Sequence, residues 1–194
     1  HCGGDYLSGK RMTDSNFGKI QVYTGHGKGK TTASLGLVIR ALGRNKKVAI
    51  VYFDKGGRDY GERNILERLV GENFRYFVTG EERFNSQTKK FRFGVTAGDR
   101  QEAERGLRIV EEIFTEGLTD LLILDEINST ITLGMLEIER FLTLLDQKPK
   151  YLEIVLTGRE AHPRILQRAD LITEMKLVKH YFYQGTEARE GIEY

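Results

Sequence analysis

Residues 20–32 read IQVYTGHGKGKTT, and residues 33–42 continue as ASLGLVIRAL. Ile20–Tyr23 is a short β-rich run, which predicts a strand, and Thr31–Leu42 carries the apolar spacing of a helix. Between them, Gly25, Gly27 and Gly29 leave room for backbone N–H groups to approach an anion without a Cβ in the way. A glycine-rich turn that leaves a strand and opens a helix is the setting of a phosphate-binding P-loop. The helix aims its free N–H groups and positive dipole end at the same anion. Lys30 adds a full positive charge for terminal phosphates, and the Thr31 hydroxyl suits the shell of a Mg²⁺ ion. The segment from Thr24 to Thr32, which includes His26, Lys28 and Lys30, is therefore read as a cradle for the triphosphate of Mg-ATP, with Mn²⁺ as the alternative metal. The generic pattern has glycine where Thr24 stands, with Gly25 beside it. A dinucleotide fingerprint fits less well, because its third glycine would fall on Lys30.

Downstream, Leu121–Glu126 reads LLILDE, four apolar residues followed by two acids. A buried strand that delivers a carboxylate at its C-terminal end is how such folds hold a phosphate-bridging metal. Asp125 is the expected metal partner, and Glu126 a second ligand or an orienter of water. Alone, LLILDE is a common strand end; paired with GKT on a strand–helix junction, it completes a nucleotide site.

Outward from these motifs, strands are expected at Ile20–Tyr23, Val48–Phe53, Phe74–Val78, Leu121–Leu124 and Leu152–Leu156. Helices are expected at Thr31–Leu42, Glu62–Val70, Gln101–Thr115, Leu133–Leu145 and Pro163–Arg168. Nearly continuous apolar strands alternating with helices predict an α/β fold: an open, mostly parallel sheet with helices on both faces, of P-loop (RecA-like) type. Residues 18–194 are expected to form a single domain, and residues 1–17 a flexible arm or an expression remnant.

Lysine plus arginine (30) nearly balance aspartate plus glutamate (28), which argues against a broad nucleic-acid or membrane footprint. The single cysteine, Cys2, rules out an internal disulfide framework, and no long apolar stretch could serve as a signal peptide or membrane span. A cytoplasmic setting is expected. His162 and His180 lack ligand spacing to one another or to Cys2, so no zinc site is expected. Residues 79–98, TGEERFNSQTKKFRFGVTAG, have no clear period and are long for a connection in a compact domain. Phe84, Phe91 and Phe93 leave two readings open: an excursion that tucks its aromatics onto the body, or a substrate lid.

The segments YTGHGKGKTTASLGLVIRALG, YFDKGGRDYGE, LLILDEIN and VLTGREAHPRILQRADLITEMKLVKH, with the terminal GIEY, follow one another in this order. Together they resemble the P-loop ATP:corrinoid adenosyltransferases, from about Gly18 to Tyr194. The resemblance implies that Co(I) of a reduced corrinoid attacks C5′ of ATP and expels the whole triphosphate. Such a nucleophile carries no proton, so the enzyme supplies position and charge compensation rather than a general base. Lys28 and Lys30 would then be the catalytic cations. The resemblance makes Arg40 a candidate for the nucleoside end of ATP, against the alternative of a surface helix arginine. Arg159, after the fifth strand, is either a phosphate contact or a brace for the C-terminal segment. The family also implies a flavoprotein reductant and a homodimer.

This chain departs from the family in two places. Arg58 stands in the segment where the family usually has tryptophan, and the irregular loop reads ERFNSQTKKFRF where many members carry an aromatic pair. His26 stands where asparagine or aspartate is more common, and is read as a hydrogen-bonding loop residue. Two other readings stay open: a P-loop ATPase or regulatory protein that hydrolyses the γ-phosphate, and a binding protein that has lost turnover.

Overall fold

The computed structural model describes residues 17–57, 60–85 and 90–194, without the side chains of Phe84, Asn85, Lys90 and Phe91. The arm expected over residues 1–17 (apart from Phe17), the Arg58 position and the Phe84 and Phe91 side chains lie outside the described residues.

In chain order the elements are β1 (Ile20–Thr24), α1 (Lys30–Leu42), β2 (Val48–Tyr52), α2 (Gly61–Leu69) and β3 (Phe74–Val78). They continue through β4 (Phe84–Asn85), β5 (Lys90–Phe91), α3 (Ala97–Glu116), β6 (Leu121–Asp125) and α4 (Ile127–Thr132). Then come α5 (Ile138–Leu145), β7 (Glu153–Thr157), α6 (Pro163–Leu166), β8 (Leu171–Glu174) and a 3₁₀ turn at Tyr181–Gln184. Six strands form one sheet in the order β3-β2-β6-β7-β1-β8. Every pairing in that sheet is parallel, with Ile20 opposite Ile154, Val48 opposite Leu121 and Gln21 opposite Leu171. This is the α/β, RecA-like P-loop architecture expected from the alternation.

Continuous apolar runs feed both faces of such a sheet, because successive side chains point to opposite sides. In β2, Val48, Ile50 and Tyr52 pack with Val38 of α1 and Leu66 of α2. Ala49 and Val51 face the other way, onto Leu107 and Val110 of α3 and Phe141 of α5. All five residues of β2 are buried, each large one contributing about 1.5–3 kcal/mol of apolar transfer. The central strands are thus rigid, and the loops at their C-terminal ends inherit fixed positions.

Four expectations are corrected. The helix expected at Leu133–Leu145 starts only at Ile138, after a separate helix that ends at Thr132, because Gly134 turns left-handed (φ 73°) and its N–H closes onto the Ile131 carbonyl at 2.9 Å. The third long helix starts at Ala97 rather than Gln101: Thr96 Oγ1 accepts from the Asp99 N–H, and Asp99 Oδ2 accepts from the Thr96 N–H, a capping box. The strand β8, not expected at all, adds an edge beyond β1. The stretch 79–98 holds the β4–β5 hairpin and the first residues of α3, and ion pairs pin it to the body. Arg83 Nε donates to Asp54 Oδ1 at 2.7 Å, and Arg92 grips Asp99 with both terminal nitrogens, at 2.7 and 2.8 Å. Phe93 is 86% exposed.

Candidate active site

The loop from Gly25 to Gly29 leaves β1 at the C-terminal edge of the sheet, where open parallel sheets place their ligands. Gly29 caps α1 with φ 116°, a left-handed conformation that a side chain would strain. Gly27 is needed for another reason: a Cβ there would lie 2.6 Å from the Met175 carbonyl oxygen. The Gly27 N–H donates to that same oxygen at 2.6 Å, so the end of β8 props the loop from outside. The Gly27 amide is therefore engaged by protein rather than turned toward an anion.

Lys30 is buried, and its ammonium donates to the carbonyls of Gly25 (2.7 Å) and Gly27 (2.8 Å). Burial is the main influence and holds its pKa below the ordinary lysine value. Lys28 points elsewhere. Its ammonium donates to Glu193 Oε1 (2.8 Å), the Ile192 carbonyl (3.0 Å) and the Tyr181 hydroxyl (3.3 Å). Glu193 also accepts from Arg189 and from the Tyr181 hydroxyl, and these partners hold its carboxyl far below the usual range. The C-terminal segment thereby folds against the phosphate loop.

Asp125 ends β6 with its side chain fully buried. Thr157 Oγ1 donates to Asp125 Oδ1 at 2.6 Å, Thr31 Oγ1 to the same oxygen at 3.1 Å, and Lys55 Nζ to Oδ2 at 2.5 Å. Lys55 Nζ also reaches Thr31 Oγ1 at 3.1 Å. Burial works to lower the Lys55 pKa, but the charge and hydrogen bond of Asp125 outweigh it and leave the value raised. Lys55 follows β2 in the segment DKGG and was not singled out from sequence, which cannot show how far that loop reaches across the sheet. Glu126 sits just beyond, its carboxylate accepting from Ser129 Oγ at 2.6 Å.

These groups border a cleft of about 850 Å³. Its lining includes His26 to Thr32, Lys55 and the neighbouring Tyr60, Glu126, Arg159 and residues of the C-terminal segment. Of the residues expected from sequence, Thr24, Gly25 and Asp125 lie behind that lining, with Thr24 Oγ1 accepting from the Ala161 N–H at 3.1 Å. Arg40 does not line the cleft; it is exposed in the last turn of α1, roughly 15 Å along the axis from Lys30. His26 is exposed, with Nε2 3.6 Å from Glu160 Oε1.

The oxygens fit a divalent cation. A cationic ammonium already sits between Thr31 Oγ1 and Asp125, standing where a metal ion bound to both would be. Among the described residues no group of three or more His, Cys, Asp or Glu side chains could hold a metal. A hydroxyl and a carboxylate are donors of the kind Mg²⁺ takes, with waters and substrate phosphates as its other ligands.

Residues 16–194 match the family described as ATP:corrinoid adenosyltransferase BtuR/CobO/CobP. This chain belongs to that family. It is 36% identical over 181 residues to the corrinoid adenosyltransferase of Pseudomonas aeruginosa, covering 91% of this chain and 84% of that protein. It is 37% identical over 177 residues to the Escherichia coli corrinoid adenosyltransferase and to the Salmonella typhimurium corrinoid adenosyltransferase CobA, in each case covering 91% of this chain and 86% of the relative. Among solved structures, a KaiC-like protein from Pyrococcus horikoshii aligns at a TM-score of 0.43 and 18% identity, over 91% of this chain and 68% of that one. The adenosyltransferase family thus spans the phosphate loop, the Asp125 strand and the C-terminal segment that meets Lys28.

Proposed function

We propose that the protein transfers the 5′-deoxyadenosyl group of Mg-ATP to Co(I) of a reduced corrinoid and releases tripolyphosphate, in coenzyme B12 biosynthesis or salvage. The observation that supports this best is a phosphate loop opening onto a cleft rich in cations, in a chain that belongs to the adenosyltransferase family. Lys30 and the free amides at the start of α1 would hold the triphosphate, with Lys28 and Arg159 at its margin. Thr31 and Asp125 would hold Mg²⁺, with Glu126 beside them. The metal, when bound, adds positive charge that stabilises the departing phosphate chain.

In this chemistry the cobalt lone pair forms the Co–C5′ bond as the C5′–O bond breaks, and that bonding pair leaves on the triphosphate. No proton moves. The work left to the protein is to hold C5′ facing the corrinoid and to offer preorganised donors to an anion that gains charge as it departs. The reading also brings a partner that delivers the electron for Co(I), a flavoprotein reductant, and a homodimeric, cytoplasmic enzyme in which residues 18–194 act as one nucleotide-binding unit. It is compatible with the net charge of +2 and with the described helices, none of which is long and apolar enough to cross a membrane.

The test follows both products at once. With ATP, Mg²⁺ and a corrinoid held as Co(I), phosphorus NMR should show tripolyphosphate accumulating one-for-one with the light-sensitive spectrum of alkylated cobalt. ADP and phosphate without a cobalt–carbon bond would replace this reading with hydrolysis of the γ-phosphate.

A further inference from the structure

Asp125 is a fully buried carboxylate, and its positive partner is the Lys55 ammonium at 2.5 Å. A buried carboxylate left without such a partner would be costly, so the pair stabilises this end of β6. The same ammonium touches Thr31 Oγ1 at 3.1 Å, so it spans the two oxygens that would receive a metal ion. A Mg²⁺-sized ion binds oxygens at about 2.0–2.1 Å. It cannot share these two oxygens with a cation already against both.

The backbone of Lys55 is held by its neighbours, and its ammonium also lies 5.6 Å from the Tyr52 ring centroid and 5.5 Å from that of Tyr60. The Lys55 N–H donates to the Thr79 carbonyl at 3.1 Å, and Arg63 Nη2 donates to the Lys55 carbonyl at 2.5 Å. Arg63 in turn lies over the Tyr60 ring, 4.3 Å from its centroid, which fixes the donor. Lys55 also lines the cleft, so an ammonium released from Asp125 would move toward the space where the phosphates are expected.

We propose that Lys55 is a resident counter-cation that competes with the divalent ion for Thr31 and Asp125. Free metal then meets an occupied site, and metal enters favourably only with an anion that gives the displaced ammonium a new partner. Lys55 is thus a positioning residue that selects the metal–nucleotide complex over either component alone. The inference rests on the metal role proposed above for Thr31 and Asp125, but its test uses neither corrinoid nor ATP, so it can fail while the adenosylation assay succeeds.

The probe is Mn²⁺ alone, followed by electron paramagnetic resonance on folded, nucleotide-free protein. Lys55→Met should bind Mn²⁺ about tenfold or more tightly than the wild type, within the usual span of coupling between competing sites. Lys55→Gln, which keeps a donor for Asp125, should show the same direction if the methionine variant folds poorly, and Lys55→Arg should stay weak. Folded neutral variants that bind Mn²⁺ no more tightly than the wild type would overturn the proposal.

Discussion

Thr157 Oγ1 donates to Asp125 Oδ1 at 2.6 Å and accepts the Glu126 N–H at 3.0 Å, so one hydroxyl ties the ends of two neighbouring strands together. Both residues are fully buried. Thr157→Val keeps the shape but leaves a carboxylate oxygen and an amide each short of a partner. A loss of about 1–3 kcal/mol is expected in urea unfolding. Activity should fall as well, because Asp125 loses the contact that orients it; a variant with unchanged stability and turnover would show that the hydroxyl is dispensable.

Lys30 shares its ammonium between two loop carbonyls, at 2.7 and 2.8 Å, where phosphate oxygens would take their place. Hydrogen bonds to charged groups are worth about 1.5–3 kcal/mol, so Lys30→Ala should weaken ATP binding by about tenfold or more while the fold survives. Titration calorimetry measures this directly. An unaltered isotherm would remove Lys30 from the nucleotide site.

The carboxyl of Asp99 is held far below the usual range, first by its hydrogen bonds from Arg92 and then by the Thr96 cap; Arg83 stands 3.9 Å away. A depressed acid contributes stability that is present above its unfolded value, about 3.9, and is lost as pH falls toward the folded one. Asp99→Asn should therefore cost about 1.5–3 kcal/mol at neutral pH. The gap between wild type and variant should be constant above about pH 5 and shrink steadily below about pH 4. Equal gaps at pH 7 and at the acid end would mean that the charge of Asp99 is not what holds the hairpin.

Phe93 projects from the pinned hairpin segment with 86% of its surface exposed. Exposed positions of this kind change stability by no more than about 0.5 kcal/mol when truncated. If the segment covers the corrinoid, Phe93→Ala should lower corrinoid turnover several-fold and leave ATP binding and the melting temperature alone. Normal turnover would return the hairpin to a purely structural role.

The sheet was legible wherever burial wrote itself into composition. Val48–Tyr52 and Leu121–Asp125 are buried along their whole length and read as unbroken apolar runs, and Phe74–Val78 was found to the residue. The phosphate loop was legible because its glycines occupy a position few other structures need. By contrast, β8 is an edge strand whose four side chains are all exposed, so no apolar pattern marks it. Gly134 interrupts a periodic stretch by one backbone angle, which periodicity does not register. The Thr96–Asp99 capping box was visible as T-x-x-D, but it lay inside a segment read as loop.

The site was legible residue by residue and much less so as a set of partners. Thr31 and Asp125 are 94 positions apart and lie within 3.1 Å of one another. Lys55 joins them from a loop 70 positions before Asp125, and Glu193 reaches Lys28 across 165. Nothing in local sequence encodes such distances; the strand order does. Lys28 illustrates the limit: its place in the motif aims it at phosphate, yet its ammonium pairs with the carboxylate of Glu193 at 2.8 Å.

The place of β1 in the sheet sets a timetable for synthesis. Its partners are β7 and β8, and Gly27 leans on Met175, so among the described strands the earliest one is paired by segments made much later. At roughly 5–20 residues per second, a ribosome would take about 8–30 s to travel from the phosphate loop to the residues that brace it. Throughout that interval a growing chain carries the complete GKGKTT signature without the scaffold that shapes it. Translation that stops before β8 therefore yields a fragment that carries the motif without the strand that pairs with β1 and the Met175 carbonyl that props its loop.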